Sequence, residues 1–249
     1  MKRLILSLLI ALCAVISYAQ EDINNAQNVT LLTAQPFDEI LVNGDVTVEC
    51  VFNPEYHRYV VYRTDNESAQ RIECRNDSNR LVINGNNELN NIASRIIVFC
   101  NDSLKAIIMN GNGNLVVKET PRLNRLHVIQ NADGTIKIGD LKAHFLSVVN
   151  NGAGNIYAKD TKARRLSIVN NGAGEMKLKS IKAFEGIFVS NGSADITLAD
   201  ILVRQASFTV NNSGNFTLSG KVGSLTLITN GAGNIDTKNL SYKSLKQAR

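Results

Sequence analysis

Tryptophan is absent from these 249 residues, aromatic residues make up 6%, and histidine occurs three times. Each scarcity closes off a kind of chemistry. Sequence-tolerant nucleic-acid binding uses aromatic platforms set among cations, and with so few aromatics interleaved among the lysines nucleic acid is set aside as a partner. The histidines, His57, His127 and His144, share no spacing with a serine or cysteine nucleophile, so no catalytic triad is visible. Cys50, Cys74 and Cys100 show no CxxC or Cys/His spacing of the kind that holds zinc or does redox work. Each instead ends an alternating apolar run and reads as a small buried hydrophobe. One disulfide among the three would leave a thiol over. No cofactor is expected.

Long apolar runs are also missing once the first residues are passed. Lys2 and Arg3, an apolar run from Leu4 to Ile16, and Ser17-Tyr18-Ala19 before Gln20 read as a secretory signal over 1–19. That run is shorter than the ~20 residues a spanning helix needs. The expectation is an exported protein, in the periplasm, on the outer-membrane surface or secreted, with no transmembrane segment in the mature chain. Residues 20–109 carry 7 Lys+Arg against 13 Asp+Glu, net −6, whereas residues 110–249 carry 18 against 9, net +9. A chain so divided can attract polyanions with one half, or dock that half on the acidic half of another copy.

What the sequence has in abundance is repetition. An Asn-rich, Gly-rich corner recurs at Asn110, Asn131, Asn151, Asn171, Asn191, Asn211 and Asn230, in steps of 21, 20, 20, 20, 20 and 19 residues. Written beneath one another, the repeats give apolar columns. Ile107, Val128, Val148, Ile168, Phe188, Phe208 and Leu227 form one. Leu126, Leu146, Leu166 and Leu225 form another, interrupted by Gly186 and Ala206. After the corner, Leu115, Ile136, Ile156, Met176, Ile196, Phe216 and Ile235 are followed two residues later by a further apolar column. Spacing by two is strand alternation with one face turned inward, and strands at equivalent places in a coil of fixed length run parallel.

The fold class is therefore all-β: a parallel β-helix of seven coils, right-handed by the usual rule for parallel crossovers, preceded by an irregular β region. At ~4.8 Å per coil the rod is on the order of 30–35 Å long. The chain divides into a signal peptide at 1–19, a polar lead-in at 20–36, an N-terminal β cap at 37–109, coils at 110–239 and a basic tail at 240–249. A lone coil cannot offset its ordering entropy, so stacking supplies the stability and the ends need caps.

The corner reads Asn150-Asn151-Gly152-Ala153-Gly154-Asn155, and again Asn170-Asn171-Gly172-Ala173-Gly174-Glu175. Its glycines are expected at positive φ, and its stacked asparagines can bond along the rod. A phosphate cradle would need a helix after the glycines, and a strand follows. The recurring Asn-Gly-Ala-Gly-Asn-Ile at Asn151–Ile156 and Asn230–Ile235, with Phe37-Asp38-Glu39-Ile40-x-Val42-x-Gly44 and Leu81-Val82-Ile83 ahead of the coils, resembles the head GIN domain family. The resemblance spans roughly Phe37 to Asn239. It implies an exported β-helical protein of the auto-transporter adhesin kind, common in Bacteroidetes-type bacteria, and brings no catalytic residues.

Two sets of polar side chains are candidates for function. Lys142, Lys162 and Lys182 form a column, with Lys159, Lys179, Arg164 and Arg165 around it. Like charges stacked at strand spacing repel, and an anionic polysaccharide or lipopolysaccharide would offset them. Asp140 and Asp160 stand in a neighbouring column. They are the alternative, as a Ca²⁺ site or the carboxylate pair of a carbohydrate-active lyase or hydrolase. The lysine two residues after each is expected to neutralise it, and the setting reads as a turn. The leading expectation is a non-enzymatic binding protein of the cell envelope, with a self-associating structural module as the alternative.

Overall fold

The computed structural model describes residues 28–64, 72–85 and 95–248, so the expected signal peptide lies outside the described residues. Among the described residues seventeen strands form one continuous sheet wound into a β-solenoid. Coils beyond the first corner repeat in parallel: β9 (Asn114–Gln130), β10 (Thr135–Asn150), β11 (Asn155–Ala158) with β12 (Thr161–Asn170), and β13 (Met176–Leu178) with β14 (Ile181–Ser190). β15 (Asp195–Val210), β16 (Asn215–Thr229) and β17 (Ile235–Ala248) complete the stack. Register is kept residue by residue, with Ile136 beside Leu115 and Ile156, and Val148 beside Val128 and Ile168. The columns read from the sequence are thus true ladders. Residues 240–248, which read as a basic tail, continue β17 in parallel pairing with β16, because Leu240 supplies the inward position beside Gly220.

The core is a stack of the inward columns. Ile136, Ile156, Met176, Ile196 and Phe216 are fully buried, as are Val128, Ile168, Phe188 and Phe208. The interruption of the leucine column at Gly186 and Ala206 has a packing cause. Phe188 and Phe208 stack at 4.5 Å with 8° between their planes, Phe216 meets Phe208 edge-on at 5.5 Å, and a Cβ at Gly186 would lie 2.6 Å from the Phe188 ring. Small residues beside large ones hold the coil's cross-section constant.

The corner works differently from expectation. Gly152, Gly154, Gly172 and Gly174 are not at positive φ; among the described glycines only Gly44 (92°) and Gly220 (121°) are. The corner glycines are required by approach between coils, since a Cβ at Gly172 would overlap the Gly152 carbonyl below it. The asparagines form two ladders. The outer one is a single chain of amide bonds, 2.6–3.0 Å each, in which Nδ2 of Asn230 donates to Asn211 and so on through Asn191, Asn171, Asn151, Asn131 and Asn110 to Asn43 and Asn84. Asn84 then donates to the Glu73 carboxylate at 2.9 Å. A carboxylate only accepts, so this terminus sets the direction of every amide above it. The inner ladder, Gln130, Asn150 and Asn170, is wholly buried and donates to corner carbonyls, for example Asn150 to Gly154 at 2.9 Å.

The acidic half of the chain builds the cap. β2 (Glu39–Asn43) and β3 (Thr47–Phe52) form a partial coil lying between β8 (Ala106–Met109) with β9 on one side and β6 (Arg80–Gly85) with β7 (Arg95–Cys100) on the other. Antiparallel strands close this end: β5 (Ile72–Asp77) on β6, β4 (Tyr59–Thr64) on β7, and β1 (Asn28–Thr33) on β4. Residues 28–33, expected in the lead-in, are therefore an added edge strand. Glu49, 2% exposed, is held by Arg95 and by Lys118 Nζ at 2.6 Å. Cys50 and Cys100 are buried as expected, Cys74 is half-buried, and all three are free thiols.

Candidate functional site

Each coil turns sharply after its first strand section, and the short section that follows carries the cations. In two coils the turn takes a left-handed backbone at a non-glycine residue: Ser180 has φ 47° and Asp200 φ 53°. Beyond it, Leu141, Thr161, Ile181 and Ile201 point inward, so the next residue points out. That next residue is Lys142, Lys162 or Lys182, and the register places the three directly above one another. The structure adds Arg122 below Lys142, and Lys221 above Lys182 with Leu202 between them. Among the described residues none of these cations lies within ion-pair distance of a carboxylate.

Counted from its corner asparagine, Arg122 stands one residue later and Lys221 one residue earlier than Lys142, Lys162 and Lys182, so aligning the repeats on the corner leaves both out of the column. The register irregularities between Asp140 and Lys142 and between Leu198 and Ile201 mark the two offsets. His144 and Arg164 stand on the far side of Ala143 and Ala163. With Arg122, Lys142, Lys162 and Lys182 they bound a groove of about 390 Å³.

The remaining expected cations are not gathered here. Arg165 belongs to the next face, where it pairs with Glu185 at 3.0 Å and shares the Phe145 ring with Arg125, at 5.8 and 5.9 Å. Lys159 and Lys179 precede the turn, and Asp160 and Ser180 separate them from the Lys162 and Lys182 column.

Asp140 and Asp160 sit at the turn as expected, with Glu119 opposite Asp140 on the preceding coil. The expected neutralisation by Lys142 and Lys162 is not observed: among the described residues no ion pair joins either aspartate to a lysine. No group of three or more His, Cys, Asp or Glu side chains converges on one point among the described residues. His127 is the register partner of Ser147, but no hydrogen bond joins them. His57 bonds the Pro54 carbonyl at 2.9 Å. The basic ridge and the groove beside it are the candidate site.

Residues 36–198 and 187–247 match the profile of the family described as "Putative auto-transporter adhesin, head GIN domain". No curated protein matches the sequence. Among solved structures, a "putative adhesin" from Bacteroides fragilis superposes with a TM-score of 0.73 at 15% identity, over 90% of this chain and 98% of that one. A "putative lipid binding protein" from Parabacteroides distasonis gives 0.63 at 17% identity, over 91% and 98%. A "putative adhesin" from Parabacteroides merdae gives 0.58 at 15%, over 91% and 98%. At these identities the likeness is one of fold.

Proposed function

Since the chain belongs to the head GIN domain family, described as auto-transporter adhesins, we propose that it is an exported, non-catalytic adhesion protein that holds anionic glycan, lipopolysaccharide included, on its basic ridge. The observation that carries this reading is the run Arg122, Lys142, Lys162 and Lys182: four cations on consecutive coils with no carboxylate within ion-pair distance among the described residues. At a spacing of ~4.8 Å such charges repel one another, and an unrelieved column of this kind is stabilised by a partner that places an anion near each coil. A 1→4-linked polyuronate does so, since one of its sugar rings is about as long as a strand is wide.

Retention of the purified chain on immobilised alginate tests the proposal. Changing Lys142, Lys162 and Lys182 to Glu is expected to abolish retention, whereas the same change at Lys137, Lys177 and Lys238, off the ridge, alters net charge equally and is expected to preserve it. Equal retention by both triple variants would remove the ridge as the site.

The opposed charges of the two halves favour a second reading, end-to-end self-association. Sedimentation in low and high salt decides it, because contacts between exposed charges weaken as the Debye length shortens; a monomer under both conditions rules it out.

A further inference from the structure

The groove beside the cation column does not stop at Lys182. It continues towards the C-terminal coils as an open trough of about 640 Å³ that shares Lys182 and Ala163 with the cationic section, but its lining changes character. The floor is the strand segment at Ala183, Val203 and Val222, whose side chains turn to the core, and the two walls carry Leu202 and Phe184. Leu202 stands in the cation column between Lys182 and Lys221, and Phe184 stands across the groove on the preceding coil. These side chains are 54% and 46% exposed, Leu202 being the most exposed large hydrophobic described. Arg204 lies over the Phe184 ring at 4.9 Å and keeps a cation at the rim.

A solvated basic stripe has no use for two large exposed apolar side chains lining one groove, and exposed apolar surface rimmed by charge is the mark of a contact site. A purely anionic sugar chain would leave that surface wet. We infer that the groove holds an anionic lipid lengthwise, with its carboxylate or phosphate head among Lys142, Lys162 and Arg164 and its hydrocarbon chain over Ala183, Val203 and Val222 between Phe184 and Leu202. The inference rests on the ridge being an anion site and names what the anion is attached to. From Lys162 to Lys221 the groove covers three coil spacings, ~14 Å, so long acyl chains gain more buried surface than short ones.

Equilibrium dialysis of the full chain, with each amphiphile below its micellar concentration, tests the pairing of head and chain. Palmitate and palmitoyl lysophosphatidate are expected to bind, the tighter of the two identifying the head, while neutral monopalmitoylglycerol and short-chain octanoate bind at least about tenfold more weakly. Phe184→Ser with Leu202→Ser, and separately Leu202→Gln alone, should each weaken palmitoyl ligands about tenfold and leave alginate retention unchanged. Binding unaffected by chain length, or unaffected in both variants, overturns the inference. Alginate retention without binding of any amphiphile also overturns it while leaving the glycan reading intact, and failure of both ligand classes overturns both.

Discussion

Asn171 accepts an amide hydrogen from Asn191 and donates one to Asn151, each at 2.7 Å, so it works only as a group with both a donor and an acceptor. Asn171→Asp keeps the acceptor and, when ionised, loses the donor and faces the Asn151 oxygen with a charge. The protonated acid can still donate. Its folded pKa is therefore expected above its unfolded value, so the variant keeps its ladder bond below the unfolded pKa and loses it as pH rises through the folded one. Urea denaturation at pH 4 and pH 7 should show the deficit relative to wild type growing by about 1 kcal/mol at the higher pH; a deficit independent of pH would mean the amide chain contributes nothing. The thiols follow the same linkage. Burial, helped by the neighbouring Glu73, pushes the Cys74 thiol from its ordinary 9.0 to about 12. A raised folded pKa contributes stability that is intact below about 9 and lost as pH rises towards 12. Cys74→Ser should flatten that alkaline loss in thermal melts, and an unchanged alkaline profile would contradict the assignment.

At the scale of the coil, repetition made the fold legible, and it hid the reasons for it. The apolar columns that hold Val148 and Ile156 are written in the 20-residue step, because a strand in a closed coil has only one inward set. The corner glycines were legible as necessary but not in their role, since positive φ and close approach both demand the absence of a Cβ and a sequence does not separate them. Gly172→Ala tests the distinction. A residue at negative φ accepts alanine readily when space allows, so the expected loss of about 1–3 kcal/mol arises from overlap with the Gly152 carbonyl. A neutral or stabilising effect in denaturant titration would show that the coils are not in contact there. The candidate site divides in the same way. Lys142, Lys162 and Lys182 stand at one offset from the corner asparagine and were found, while Arg122, although 20 residues before Lys142, and Lys221 are each one residue out of that offset and were not. The apolar half of the groove had no signature at all, because Leu202 and Phe184 fall in different columns on adjacent coils and only the pairing of those coils brings them to one groove.

For the whole molecule, the cap was legible in composition and illegible in topology. Strand bursts and acidic charge marked residues 37–109, but that β2 and β3 would lie between later strands, with β8 on one side and β6 on the other, follows from pairings made across 41 and 67 residues. Contacts so distant in sequence form late and leave no local pattern. Cap, core, amide ladder and basic ridge all depend on the coils being stacked in register. Lys137 and Thr217 are exposed members of one column, joined through Tyr157, Lys177 and Thr197. Spin labels at these two positions, 80 residues apart in sequence, should give a single narrow distance distribution by pulsed electron resonance, centred within a label's length of ~19 Å for four strand spacings. A broad distribution, or one centred well beyond 30 Å as an unstacked chain of this length gives, would contradict the account.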